Sequence, residues 1–529
     1  MTRQATQQPL APAGASTMEA RESPVDTMPP TTTTTPPSPQ TPSRTVPSDR
    51  DLAAAAPYLA DWEAFRRELP AAEPAALGAM RRAAIQRFGV LGFPTTRQEE
   101  WRFTNLAPLA RASFRRAASP EGEDRGAPRL SLADLEPWTF AAAARLVFVD
   151  GRFAPELSSG DGSQSAAAPP VASRGLPPGV LVGSLAAALA REPHRIEPYL
   201  GRYARFRDQP FVALNTAFLH DGAVVMLPRG AVVALPIHLL YVSTAASGAS
   251  AATGASAAGT ASAPTAARVS YPRNLIVAGE GSQLTVVETY AGIGDGAYWS
   301  CGVTELIAGP SAVVDHYKVQ RESRDAYHLA TMQVCGERSS VISSHSISLG
   351  GGLVRNDVNA VLDGEGIDCI LNGLYLAEGR QVVDNHMRVE HAKPHCSSHE
   401  LYKGILDGKA RSVFNGLIHV HPGAQKTDAK QSNRNLLLSA DAIANSNPRL
   451  EIFADDVKCT HGSTVGQLDD DAVFYLRSRG IGLDAARSLL TYAFASDILA
   501  RIKVEPVRHD LEELLFARLP QGEVVRQAV

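Results

Sequence analysis

The residue types with the most chemical potential in this 529-residue chain are the histidines and cysteines of its second half. His386, His391, His395, His399, His419, His421 and His461 are half of the 14 histidines, and Cys396 and Cys459 lie among them. Imidazole and thiolate are ligands of zinc, iron and copper. The spacings match no standard local site. His391, His395 and His399 follow one another at i, i+4, but Pro394 disfavours the helix that would bring each pair onto one face. On a strand, His419 and His421 would share a face. An ordinary surface or turn histidine remains the alternative for each. Cys459-Thr460-His461-Gly462 differs, because an extended i, i+2 pair projects a thiol and an imidazole from one side, near the edge of a strand-rich region. Such a pair suits metal binding or sulfur handling. A buried cysteine beside a hydrogen-bonded histidine is the structural alternative.

Nucleotide and hydrolase motifs are missing. Gly404 to Gly408 followed by Lys409-Ala410 is one residue short of a phosphate loop and lacks its hydroxyl. The chain has no H-E-x-x-H, no G-x-S-x-G and no strand-to-helix G-x-G-x-x-G. A carbohydrate-active solenoid needs paired carboxylates on adjacent coils; Asp363 and Asp407 are candidates, but each precedes a glycine, as turn residues do. A metal-dependent enzyme would rest on His391, His395 and His399.

Composition excludes further classes. With 51 basic against 55 acidic residues, the net charge of −4 offers no general attraction for nucleic acid. The five cysteines, Cys301, Cys335, Cys369, Cys396 and Cys459, are odd in number and never form C-x-x-C, so a disulfide framework or four-thiolate zinc site is not indicated. No apolar run approaches a membrane span, and the N-terminus lacks a secretory h-region. The expectation is a cytoplasmic protein. Ser and Thr in the first 50 residues suit a transit peptide, but Glu19, Glu22, Asp26 and Asp49 argue against one.

The elements that must position these residues fall into four blocks. Residues 1–50, rich in Thr and Pro, read as a disordered tail. Residues 51–205 read as a helical domain with an irregular connection: Leu59, Trp62, Phe65 and Leu69, then Met80, Ala84, Ile85 and Phe88, recur at helical spacing, and Gly89, Gly92 and Pro94 close the unit. Thr95 and Thr96 ahead of Glu99 and Glu100 resemble a helix cap, and the stretch from Ala117 to Gly183 reads as loop with one strand at Leu146 to Val149.

Residues 206–460 carry short Val/Ile/Leu runs between Gly, Asp and Asn turns, without helices, around a flexible insert at 243–267. Leu362-Asp363-Gly364 recurs as Leu406-Asp407-Gly408, Asn372-Gly373-Leu374 as Asn415-Gly416-Leu417, and Asp384 as Asp428, all offset by 43 or 44 residues. Strands with such a period suggest a β-solenoid, the 44-residue unit being two coils of about half that size; a chance match of Gly-rich turns is the alternative. Residues 461–529 return to helix, with acids at 469–471 and Gly480 as start and stop, Asp484 as the cap of a second helix and Pro506 opening a third.

Ala454-Asp455-Asp456-Val457-Lys458-Cys459-Thr460-His461-Gly462-Ser463-Thr464-Val465-Gly466-Gln467-Leu468, followed by Phe474 to Ile481, closely resembles the SufB/SufD family of iron–sulfur cluster assembly scaffolds. Tyr402-Lys403-Gly404, Phe414-Asn415-Gly416, Gln425 to Ala429 and Asn435 to Ser439 match the family in order, and Glu99 to Leu106 matches it more weakly. The resemblance covers about Phe211 to Ile502, and its C-T-H-G-x-T-V-G segment is similar to the SufD branch, where SufB-type members carry E-H-E; Ser463 departs from the commoner Ala.

The resemblance implies a right-handed parallel β-helix flanked by helical domains, and a non-catalytic scaffold in a cytoplasmic complex. The implied partners are a SufB-like subunit, pairing β-helix to β-helix, and the ABC-type ATPase SufC, contacting helices at about Asp469 to Leu519; a homodimer is the implied state of the chain alone. A nascent iron–sulfur cluster would form at the interface with SufB, with His461 as participant and Cys459 as second choice.

Overall fold

The computed structural model describes residues 53–69, 74–112, 114–117, 130–159, 176–245 and 267–528. The 1–50 tail and most of the 243–267 insert lie outside the described residues.

The described chain between Ala223 and Gly466 is almost wholly strand, as β-branched runs punctuated by turn residues require. Successive strands alternate between two sheets, so each pairs in parallel with the next but one. One sheet stacks Leu353–Leu362, Val382–His391, Arg411–Val420 and Ile443–Ile452; the other stacks Asp368–Ala377, Ser397–Leu406, Asp428–Leu437 and Lys458–Gly466. One strand from each sheet makes a coil, and the coils form a parallel β-solenoid with helices toward both chain ends.

The coil is longer than the sequence period implies. Register partners Asp368 and Ser397, like Val382 and Arg411, stand 29 residues apart. The 44-residue offset is therefore one and a half coils, not two coils of about 22. Leu362 ends a strand of one sheet and Leu406 a strand of the other, so the offset relates half-coils across the lumen. Its Asn-Gly-Leu marker has a packing cause. A Cβ on Gly373 would meet the Tyr402 ring at 2.2 Å, and one on Gly416 would meet the Gln431 amide at 2.3 Å, so each glycine makes room for a larger lumen side chain.

At the N-terminal side, Ala56–Glu68 and Ala75–Leu91 turn Tyr58, Trp62, Phe65, Ile85 and Phe88 into one cluster with Phe211, Trp299 and Leu353. Gly92, at φ +61°, ends the second helix, whereas Gly89 lies within it. Thr95 and Thr96 cap no α-helix. Only a 3₁₀ turn forms at Glu99–Trp101, because Trp101 is buried under the Arg355 guanidinium, 3.6 Å from its ring centroid. In the 117–183 stretch the strand expected at Leu146 to Val149 forms as Ala144–Val149 in one sheet, and a second, unexpected strand, Leu181–Ser184, joins the other. The second strand is four residues long and contains Gly183, too brief to show alternation.

At the C-terminal side Asp469 caps Asp470–Ser478, accepting from the N–H groups of Asp471 and Ala472, and Gly480 takes φ +87° beyond it. Asp484 lies in the first turn of Leu483–Leu499 and is not its cap; Gly482 is. Leu483–Leu499 and Glu505–Arg518 bury Ile498, Leu499, Leu511 and Leu515 against Val319, Ile347, Leu374 and Ile405 of the sheet. Lys403, buried in that sheet, pairs with Asp497 at 2.8 Å. Among the described residues no helix is long and apolar enough to cross a membrane.

Buried histidines give the fold an acid sensitivity whose sign can be worked out. Burial holds His238 at about 3 and His345 and His391 at about 4. Unfolded, each titrates near 6.5. The unfolded chain thus binds more protons below that value, and stability falls as pH drops from about 6.5 to 4, by up to about 1.4 kcal/mol per pH unit per histidine. Glu400 opposes this: burial raises its carboxyl to about 7, so its contribution is full below the unfolded carboxyl value and is lost as pH rises through 7. Denaturant midpoints measured from pH 4 to 6.5 should rise with pH, and His238→Gln should flatten the slope by about one proton. An unaltered slope would remove His238 as a source of the acid sensitivity.

Candidate functional site

Cys459 and His461 stand on Lys458–Gly466, the terminal strand of its sheet. Their direction follows from register. Cys459 pairs with Ala429 and His461 with Gln431. Ala429 and Gln431 are buried while the intervening Lys430 is exposed. The i, i+2 pair therefore belongs to the lumen-facing row, as extended geometry dictates. In lower coils that row is sealed by the next coil. Here it is open, and Cys459 is half-buried while His461 is exposed.

Cys459 rests against a small apolar group, Ile418, Val420, Ala424, Ala429 and Ala454. Burial pushes its thiol up, partly offset by the Ala429 backbone and reinforced by Asp428. Alone it stays a thiol, and a metal or cationic neighbour is needed to draw out the thiolate. Beneath His461, the buried Gln431 donates from Nε2 to Glu400 at 2.9 Å. Deeper polar groups satisfy one another: Tyr375 donates to Asn435 at 2.7 Å, and Asn435 to Asn433 at 2.8 Å. Exposed apolar side chains surround the opening, Ile443, Ile452 and Phe453, and Val465 is exposed in the same row as Cys459 and His461.

The other candidate histidines do not converge. His391 is buried and hydrogen-bonds Ser398 at 2.9 Å, His395 sits exposed on a turn at φ +60°, and His399 alternates to the outer face of its strand. His386 pairs with Asp384 at 3.1 Å, whose carboxyl is also held by Arg355. His419 and His421 do share a face, their rings 4.9 Å apart, each paired with a glutamate, Glu451 and Glu390. Asp363 and Asp407 follow strands of different sheets and occupy turns, so they are not a carboxylate pair on neighbouring coils. Among the described residues no group of three or more His, Cys, Asp or Glu is arranged to hold a metal ion. Cys459 and His461 supply two donors, half of the four side chains that an iron–sulfur cluster commonly takes.

Sequence reasoning missed Glu400 and Gln431. The signal for Gln431 was present as the alternation Gln431-Ser432-Asn433-Arg434-Asn435, amides on one face, which in a strand marks a polar lumen.

Comparison with known proteins gives the family. Residues 163–239 match the SufBD protein N-terminal region, and residues 260–494 match the family described as SUF system FeS cluster assembly, SufBD core domain. The chain is 33% identical to an iron–sulfur cluster assembly SufBD family protein of Synechocystis sp., across 83% of this chain and 90% of that protein. It is 29% identical to the iron–sulfur cluster assembly protein SufD of Escherichia coli, across 83% and 92% respectively. A parallel solenoid whose last coil displays a cysteine and a histidine, matched to these relatives over most of its length, identifies the chain as a member of the SufBD family of iron–sulfur cluster assembly proteins.

Proposed function

We propose that the chain is the SufD-type scaffold subunit of a SUF complex and catalyses no reaction itself. The observation that carries this reading is the open lumen row of the last coil, where Cys459 and His461 offer two donors inside an exposed apolar rim. A SufB-like subunit docking its own terminal coil there would supply the missing donors, pair with the free strand edges and exclude water. The nascent iron–sulfur cluster is then cargo held between subunits. His461 is the leading ligand because it is exposed; Cys459 is second, because it is half-buried and its thiol must first ionise. The setting is cytoplasmic, where thiols remain reduced.

ATP hydrolysis belongs to SufC, seated on the terminal helices. Within them the favoured patch is Asp470–Ser478, which buries no residue and exposes Phe474 and Tyr475. An aromatic pair on an uncovered helix is a fitting anchor for a partner.

Two experiments test the reading. In cells whose cluster enzymes depend on this system, His461→Ala should lower their maturation at least tenfold and Cys459→Ser less; maturation at the wild-type level with His461→Ala would end the assignment. For the ATPase, deleting everything after Leu483 would strip Ile498, Leu511 and Leu515 from the core, so point changes discriminate better. Phe474→Glu with Tyr475→Glu should leave thermal stability within about 0.5 kcal/mol, as for other surface changes, while abolishing co-purification of SufC. Undiminished co-purification would place the docking surface elsewhere.

A further inference from the structure

The lumen beneath His461 holds a polar column that nothing in the scaffold role requires. Register stacks Leu371, Glu400, Gln431 and His461 at one inward position of four successive strands, neighbours about 4.8 Å apart. Glu400 is 3% exposed and Gln431 2%. Their contact is single: Gln431 Nε2 donates to one carboxylate oxygen at 2.9 Å, and the other oxygen, Glu400 Oε1, has no partner. Gln431 Oε1 also has none. A buried polar atom left without a partner costs about 1–3 kcal/mol, so two in one column call for an explanation beyond stability. The space is specifically kept, because a Cβ on Gly416 across the lumen would lie 2.5 Å from Gln431 Oε1.

Chemistry limits what the column can do. Gln431 turns its amide NH₂ toward Glu400, whose Oε2 accepts whether the carboxyl is ionised or carries its proton on Oε1. The amide carbonyl is then free to accept one N–H. The next residue in the column, His461, is an imidazole, which carries an N–H on one nitrogen and a lone pair on the other. Metal-binding histidines usually donate the N–H of the non-ligating nitrogen to a carbonyl or carboxylate, which fixes ring and tautomer.

We infer that Gln431, braced by Glu400, is the positioning residue for His461: its carbonyl, unpartnered in this structure, accepts the N–H of one ring nitrogen when the exposed imidazole turns into the lumen and leaves the other nitrogen's lone pair for iron. The inference rests on the role proposed above for His461. Leu371 ends the column with an apolar side chain, so the bracing starts at Glu400. The nearby amides are occupied, Asn433 with Tyr375 and the Tyr402 carbonyl, Asn435 with Asn433. Ser446 of the facing terminal strand has an unpartnered hydroxyl and is the competing donor to exclude.

The test uses the full chain labelled with ring-¹⁵N histidine, His461 being assigned by the resonances lost in His461→Ala. In the wild type, the tautomer ratio of His461 should differ about fivefold from that of a free histidine peptide, the bias expected of one neutral hydrogen bond. Gln431→Leu should bring it to within twofold of the peptide. The nearly isosteric Glu400→Gln should reduce the bias, and the exchange Glu400→Gln with Gln431→Glu should restore it. Ser446→Ala should change nothing. A ratio unaltered by both Gln431→Leu and Glu400→Gln, or one altered only by Ser446→Ala, overturns the inference. If Gln431→Leu does not fold, Glu400→Gln and the exchange pair decide. Failure of the scaffold reading registers separately, as normal maturation with His461→Ala.

Discussion

Parallel pairing of each coil with the next is the constraint on which the rest depends. Because the backbone ladder runs in register from coil to coil, residues at one inward position stack into columns, and every column must be filled by side chains that pack or hydrogen-bond along its length. Apolar columns do so at once, as Leu284, Val314, Ile342 and Cys369 show in the lumen cluster. Polar columns must close on themselves, as Tyr375, Asn433 and Asn435 do. The column under His461 closes only partly, and it ends on the open strand.

Where the solenoid is covered then decides where it can act. N-terminal helices seal one region through the aromatic cluster around Trp299, and Arg355 ties them to the sheet by stacking on Trp101 and pairing with Asp384 at 2.7 Å. That pairing, together with His386 and the Thr104 hydroxyl, offsets the burial of Asp384 and holds its carboxyl at about 2. C-terminal helices cover the outer face of the other sheet. The N-terminal unit touches the last coil at Arg449, which pairs with Glu99 at 3.2 Å, and His461 stays exposed. Burial falls in step, from Arg411–Val420, mostly buried, through Ile443–Ile452, with no fully buried residue, to Lys458–Gly466, nearly all exposed.

Strand-only texture, the turn residues and the Cys459/His461 pair were all legible in the sequence, because each depends on local period or local turn chemistry. The coil length was not. The markers around Asn372 and Asn415 record a demand for space opposite Tyr402 and Gln431, which recurs every half-coil across the lumen, so the visible period mixed the two sheets. Asp484 failed as a cap because Gly482, two residues earlier, already supplied the extended backbone that starts the helix. Glu400 was illegible for a deeper reason: a lone glutamate in Ser398-His399-Glu400-Leu401 looks like half of any amphipathic strand, and only register reveals that it sits under Gln431. Long-range pairing, not propensity, makes that column.

An exposed terminal coil with apolar edges is a liability, since free strand edges template pairing with other chains. Natural sheets blunt such edges with charge, and Lys458, Asp455 and Asp456 do part of this here. Yet Phe453 remains uncovered, and the lumen row, which ends in an exposed Val465, keeps a thiol and an imidazole where packing alone would favour aliphatic side chains. On the proposed pairing these features have one cause. Docking would bury the apolar rim and complete the ladder, and the same event would dry the space around Cys459 and His461. In dry surroundings a two-donor half-site gains most from a cation, because charge and dipole interactions strengthen as water leaves. Under that proposal, an edge tolerated for assembly and a two-donor half-site would be two aspects of one site, completed when the coil is covered.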